Sequence, residues 1–269
     1  MEQGILFLGT GGDSVVVGKQ LRRSGGVILN IDDYQFHINP GPGALLGLNQ
    51  TGVNVRETSV VFVSNLRQIN SAETMSLIEA MTLNGLDTRG VLVCNDNSLK
   101  GSHEHLPIAS VHHKNMIERL IVMEENQKLG IGSIEIHALP TRNSIESIGF
   151  KFITEGFTIS YLPDTNYSAK FKEALVQTDI LILNVAAPFG FELEDHLNCE
   201  DVVKILDEVK PKLAILTGFG IKMLKEDIRL QAREIHKQTL VQVIAAQDGM
   251  IINPKSYVTS RAQKRLQNF

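Results

Sequence analysis

The runs 60-VVFV-63, 180-ILILNV-185 and 213-LAILT-217 constrain the fold most. Each is short, rich in β-branched residues and nearly unbroken in its apolarity, so it reads as a strand. A strand with one wet face would alternate with polar residues. These do not, so both of their faces need cover. Further strand signals run from Ile5 to Leu8, Val27 to Ile31, Tyr34 to Ile38 and Val91 to Val93. In the second half they run from Ile134 to Ala138, Gly149 to Ile153 and Phe157 to Leu162. A helix is expected from Ser71 to Leu83, with Ser71 as N-cap and Asn84-Gly85 as its stop. Another follows Asn198, with Glu200 and Asp201 in its first turn, and a third spans about Leu224 to Lys237. Strands from Val241 to Ala245 and Met250 to Asn253 flank a Gln247-Asp248-Gly249 turn of the kind that joins a hairpin. Two sheets packed face to face with helices outside satisfy this pattern.

Composition narrows the class. The 269 residues contain no linker-like tract and no block of like charge, so one domain over residues 1–269 is expected. The N-terminus has no basic region or long apolar stretch of a signal peptide, and no run reaches membrane-spanning length. Cys94 and Cys199, far apart in sequence, form no disulfide framework, which suits a reducing cytoplasm. A net charge of -4 argues against a general electrostatic grip on nucleic acid. Two basic clusters, Lys19-Arg22-Arg23 and the tail with Lys255, Arg261, Lys264 and Arg265, read as solvated surface.

Several stretches in order resemble the metallo-β-lactamase superfamily, and more narrowly its ribonuclease Z-like and uncharacterised metal-dependent hydrolases. They are 6-LFLGTGGD-13, 24-SGGVILNI-31, 38-INPGPGALL-46, 60-VVFVSN-65, 148-IGFKF-152, 160-SYLPDTNYS-168, 181-LILNVAAP-188 and 210-KPKLAILTGFG-220. The resemblance implies an αββα sandwich: two mixed β-sheets flanked by helices, with a site at the rim between the sheets. It also implies a two-metal centre. In the family a strand ends in Ser/Thr-His-x-His-x-Asp-His, where alternate imidazoles grip one ion and the Asp-His pair serves its neighbour.

Laid on that pattern, the ligand positions of this chain are Asn65, Arg67, Ile69 and Asn70, then Asn143 in 140-PTRNS-144, Asp164 in 163-PDT-165 and Gly218 in 216-LTGFG-220. Asp164 alone keeps the family's ligand. The replacements oppose a metal: Asn is a poor ligand for a zinc-type ion, Ile69 and Gly218 offer no donor, and Arg67 carries a fixed positive charge. The expectation is that Arg67 points at Asp164 and takes the place of the missing cation, with Asn65, Asn70 and Asn143 filling the remaining hydrogen bonds. His196, in 195-DHLNCED-201, resembles a histidine that relatives carry near the site; it would act there as acid or phosphate contact, or else orient the following helix.

Other candidates are weaker. His103, Glu104 and His105 with His112-His113 lie in a segment that reads as an exposed loop, and His37 and His137 fall in strand patterns. Gly9-x-Gly11-Gly12 leads into no Rossmann helix, and no Gly-x-Ser-x-Gly elbow is present.

The expected function is therefore that of a pseudoenzyme: a scaffold or binding protein without cofactor, working with a protein partner or as a homo-oligomer. One alternative is a phosphodiesterase-type, ribonuclease Z-like hydrolase with a non-standard site and one weakly bound divalent metal. Another is a sensor that binds a small anion or phosphate ester beside Arg67 and the helix starting near Ser71.

Overall fold

A computed structural model describes residues 3–258. The strands in chain order are β1 (Gly4–Phe7), β2 (Val27–Ile31), β3 (Tyr34–Ile38), β4 (Thr58–Val63), β5 (Val91–Cys94), β6 (Arg119–Val122), β7 (Lys128–Ile131) and β8 (Ile134–Leu139). They continue as β9 (Gly149–Ile153), β10 (Thr158–Leu162), β11 (Ile180–Ala187), β12 (Leu197–Asn198), β13 (Leu213–Thr217), β14 (Gln242–Ala245) and β15 (Ile251–Ile252). One sheet has the order β15-β1-β2-β3-β4-β5-β6; the other runs β14-β13-β11-β10-β9-β8-β7, with the short β12 beside β11. Both are mixed. In each, one strand divides antiparallel from parallel neighbours, β3 in the first sheet and β10 in the second.

The inner faces meet in an apolar layer. Phe36, Phe62, Phe150 and Phe152 are fully buried there, with ring centroids 5.0–5.7 Å apart. Each such ring contributes about 2–3 kcal/mol through burial alone. The outer face of the first sheet is covered by the helices Ala44–Thr51 and Thr74–Thr82, around Leu48, Leu77, Ile78 and Met81. The helices Cys199–Val209 and Ile228–Thr239 cover the second, around Val202, Ile205, Leu206 and Ile235. The four layers are helix, sheet, sheet, helix, which covers both faces of the unbroken apolar strands.

Several local expectations change. The Ser71–Leu83 helix divides into a turn, Gln68–Ser71, and a helix, Thr74–Thr82. Ser71 does not cap it: its hydroxyl donates back to the carbonyl of Arg67 at 3.0 Å. Glu73 holds the N-cap position, and its carboxylate accepts from the amides of Gly43 and Leu45, closing the start of the neighbouring helix. The third helix starts at Ile228, where the Asp227 side chain accepts from Arg229 N and Leu230 N; the residues before it form a separate short turn, Met223–Lys225. The two terminal strands form no hairpin. β14 belongs to one sheet and β15 to the other, and the 247–249 turn crosses between the sheets.

That crossing is fastened by Asp248. Its carboxylate accepts from Thr10 N, Thr10 Oγ1 and Arg23 N, all at 2.8 Å. In the segment after Cys94, Asn95 caps a short helix, Asp96–Lys100, by accepting from Ser98 N. β6 and β7 gave no clear period in sequence because both are edge strands, with at most partial burial along their length.

His37 is fully buried on β3, its Nε2 donating to the carbonyl of Gly25 at 2.7 Å. His137 pairs with Glu135, and His113 with Glu79 and Ser110. Lys19 is exposed and Arg22 half-buried, whereas Arg23 engages Gln50 and Asp248. Of the basic tail, Lys255 is exposed; Arg261, Lys264 and Arg265 lie outside the described residues.

Candidate functional site

The parallel strands β3, β4, β10, β11 and β13 deliver their carboxyl ends to one rim of the sandwich, where loops rather than strands decide chemistry. There β3 ends in Asn39, a non-glycine residue at φ +54. Its side chain accepts from Ser64 N at 2.8 Å and donates to the Tyr161 hydroxyl at 3.1 Å, tying the two sheets together. Beyond Ser64 the chain turns because Asn65 Oδ1 accepts from Arg67 N at 3.0 Å, an Asx-type turn that ends β4.

The orientation of each amide follows from that bond. Asn65 presents its oxygen to Arg67 N, so it can also accept from Asn70 Nδ2 at 3.0 Å. The same Asn70 nitrogen faces Asp164 Oδ2 at 3.2 Å, and Asn184 Nδ2 faces Asp164 Oδ1 at 3.3 Å. A carboxylate only accepts, so both amides turn their N–H ends toward it. His196 Nδ1 lies 3.5 Å from Asp164 Oδ1, and Asn143 Nδ2 donates to the Asp164 carbonyl at 2.9 Å. Asp164 is 1% exposed and ringed by nitrogen donors. Burial, together with the charge of Asp164, pushes the hydroxyl of neighbouring Tyr161 above the usual tyrosine range.

Arg67 does not point at Asp164. Its Nη2 lies 2.5 Å from Asp195 Oδ2 and donates to Asn143 Oδ1 at 3.1 Å. Asp195 reaches this position from a left-handed conformation at φ +63, where Asp is better tolerated than most residues. It also accepts from Ser144 N at 2.7 Å and from the Ser144 hydroxyl. Burial raises the Asp195 carboxyl, but the Ser144 donors and the Arg67 charge outweigh it and hold the group below the usual carboxylate range. The residue before His196 supplies a second carboxylate, and its proximity makes it the one that meets the guanidinium.

Ile69, Asn70, Asp164 and Gly218 line one small cavity of about 30 Å³, with Tyr161 and Asn184 in its wall. Asn65 and Asn143 stand one hydrogen bond behind it, and the Arg67 side chain stands behind Asn143. His196 is also part of the wall of a larger pocket of about 640 Å³, with Phe191, Glu192, Glu194, Glu200, Asp201 and Lys204. All eight candidate residues are thus brought to one rim. His103 and Glu104 are exposed on a loop, and His105 beside them is half-buried.

Sequence reasoning missed Asp195, Asn184 and Ser144. Two of them carry a signal. Asn184 is a polar residue inside the apolar run of β11, and Asp195 is an acid beside a candidate histidine. Ser144 gives none.

The donor set does not fit the two-metal centre that the resemblance implies. Around Asp164 an incoming cation would meet the N–H ends of two amides. Among the described residues, no group of three or more His, Cys, Asp or Glu side chains is placed to hold an ion.

Residues 34–219 match the sequence profile of the β-lactamase superfamily domain. The chain is 26% identical over 249 residues to the uncharacterised protein MJ1374 of Methanocaldococcus jannaschii, covering 91% of this chain and 93% of that one. In three dimensions it is similar to the metallo-β-lactamase fold protein YhfI of Bacillus subtilis, with a TM-score of 0.78, 16% identity, and coverage of 94% and 99% of the two chains. It is similar also to the short form of human tRNase Z, with a TM-score of 0.66, 15% identity, and coverage of 93% and 98%.

Proposed function

Because the chain belongs to the β-lactamase superfamily, we propose that it is a metal-independent member of it, a scaffold or binding protein and not a hydrolase. The observation that carries this reading is the ring of N–H donors around Asp164. A hydrolase of this kind needs a cation there to lower the pKa of water and to stabilise charge on phosphate. Here Asn70 and Asn184 present the positive ends of their dipoles to the same carboxylate.

The sensor for a small anion or phosphate ester loses its support. Arg67 is already neutralised by Asp195, and a cavity of about 30 Å³ holds on the order of one water, not a phosphate. The larger pocket sets four carboxylates, Glu192, Glu194, Glu200 and Asp201, against the single lysine Lys204. A helix start at Ser71, which would have favoured an anion, is absent.

No helix among the described residues is long and apolar enough to cross a membrane. Both cysteines are buried free thiols, and burial pushes each up to about 12, which supports a cytoplasmic setting without thiol chemistry. A protein partner or a second copy is the kind of ligand this reading calls for.

The reading is tested by thermal melts and by hydrolysis of a phosphodiester, each with zinc and with manganese added. A metal that binds the folded state raises Tm by mass action. The proposal expects no rise in Tm and no hydrolysis; saturable stabilisation with metal-dependent turnover would refute it.

A further inference from the structure

The ligand position at residue 218 is closed by more than the loss of a side chain. Gly218 sits at φ +63, in the left-handed region that favours glycine. A Cβ added there would stand 2.7 Å from Cγ and 2.8 Å from Cβ of Asn184. Carbon atoms in a packed interior do not approach so closely. Rotating the amide of Asn184 removes the first contact and leaves the second. Neither backbone can yield easily. Asn184 is paired in register with Thr217 on neighbouring parallel strands. On the other side of Gly218 lies Gly12, where a Cβ would stand 2.0 Å from the Gly218 carbonyl oxygen.

We infer that Asn184 is a lock on the former ligand position. Its Cβ fills the space that any side chain at 218 would need, and its amide N–H, 3.3 Å from Asp164, occupies the approach of a cation to that carboxylate. Returning the family's histidines alone therefore does not restore a metal centre. The release of position 184 is required as well. The inference rests on the metal-independent reading above and deepens it: the site is refilled, not merely emptied.

Two measurements test it. The first is a double-mutant cycle of Gly218→Ala and Asn184→Gly, read by Tm. The lock predicts that Gly218→Ala lowers Tm sharply in the wild-type background and far less once Asn184→Gly is present. Equal losses in the two backgrounds would overturn it. The second is zinc content after dialysis of a variant carrying Asn65→His, Arg67→His, Asn70→His, Asn143→His and Gly218→His, with and without Asn184→Gly. Zinc retained only when Asn184→Gly is added supports the lock. Zinc retained with Asn184 in place overturns it, and so does a folded six-fold variant that retains none. Should these variants fail to fold, the cycle alone decides. Stoichiometric zinc in the wild-type protein would instead defeat the metal-independent reading, so the two failures are distinguishable.

Discussion

Arg67 and Asp195 form the ion pair on which the rim now depends. Their side chains are 22% and 9% exposed, so the pair is screened less than a surface bridge, yet it is not a fully dry one. Removing either partner leaves the other poorly solvated: Arg67→Ala or Asp195→Ala should cost about 2 kcal/mol, roughly 4–8 °C in Tm. The double variant should lose clearly less than the sum of the two. Asp195 titrates below its unfolded value. Its contribution is therefore present above the unfolded pKa and is lost as pH falls through the folded one.

His37 acts in a different window. Burial lowers its pKa from 6.5 to about 4, against the smaller raising effect of the bond to Gly25. The Gly25 carbonyl requires a proton on Nε2, which leaves Nδ1 as a buried bare acceptor without a partner. Between these two pKa values the unfolded chain binds the extra proton, so stability rises with pH across that window and is level above it in this respect. The span is on the order of 3 kcal/mol. Thermal melts across that window should show the slope in wild type and a shallower one in His37→Gln.

Part of this site was legible from residue identity alone. The eight positions read from 64-SNLRQIN-70, Asn143, Asp164, His196 and Gly218 do meet at one rim. The partner of Arg67 was not legible, because Asp195 and Asp164 both lie far from it in sequence and only the turn at φ +63 brings Asp195 in.

Among the elements, the crossing turn after β14 bears the most on the rim. Asp248 holds the first loop of the chain through three donors, and that loop carries Gly9, Gly11 and Gly12 of the small cavity. Asp248→Ala leaves buried amides unpaired and should cost about 2–3 kcal/mol. The loss would appear in amide exchange of residues 9–12 before that of β11. The central strands were readable because apolar runs without alternation need both faces covered, and the αββα order followed from the resemblance of the ordered stretches. The edge strands β6 and β7 were not, since half-exposed four-residue strands carry little pattern. The hairpin expected at 247–249 failed because a turn motif fixes a reversal locally and does not say which sheet receives the next strand.

Across the whole molecule, the proposed metal-independent reading places stability in the layer between the sheets. Phe152 packs on Phe36 and Phe62 there, and Phe152→Ala should cost about 3–5 kcal/mol, more than any single change at the rim. The fold and the site thus carry different information. The framework is that of the β-lactamase superfamily, whereas the rim consists of amides, one guanidinium and two carboxylates. Elemental analysis of the wild-type protein, produced in medium containing zinc, manganese and iron and then dialysed, tests this account most directly. The account predicts no stoichiometric metal and an unchanged Tm on adding chelator; one or two ions per chain that survive dialysis, with a Tm that falls when they are removed, would contradict it.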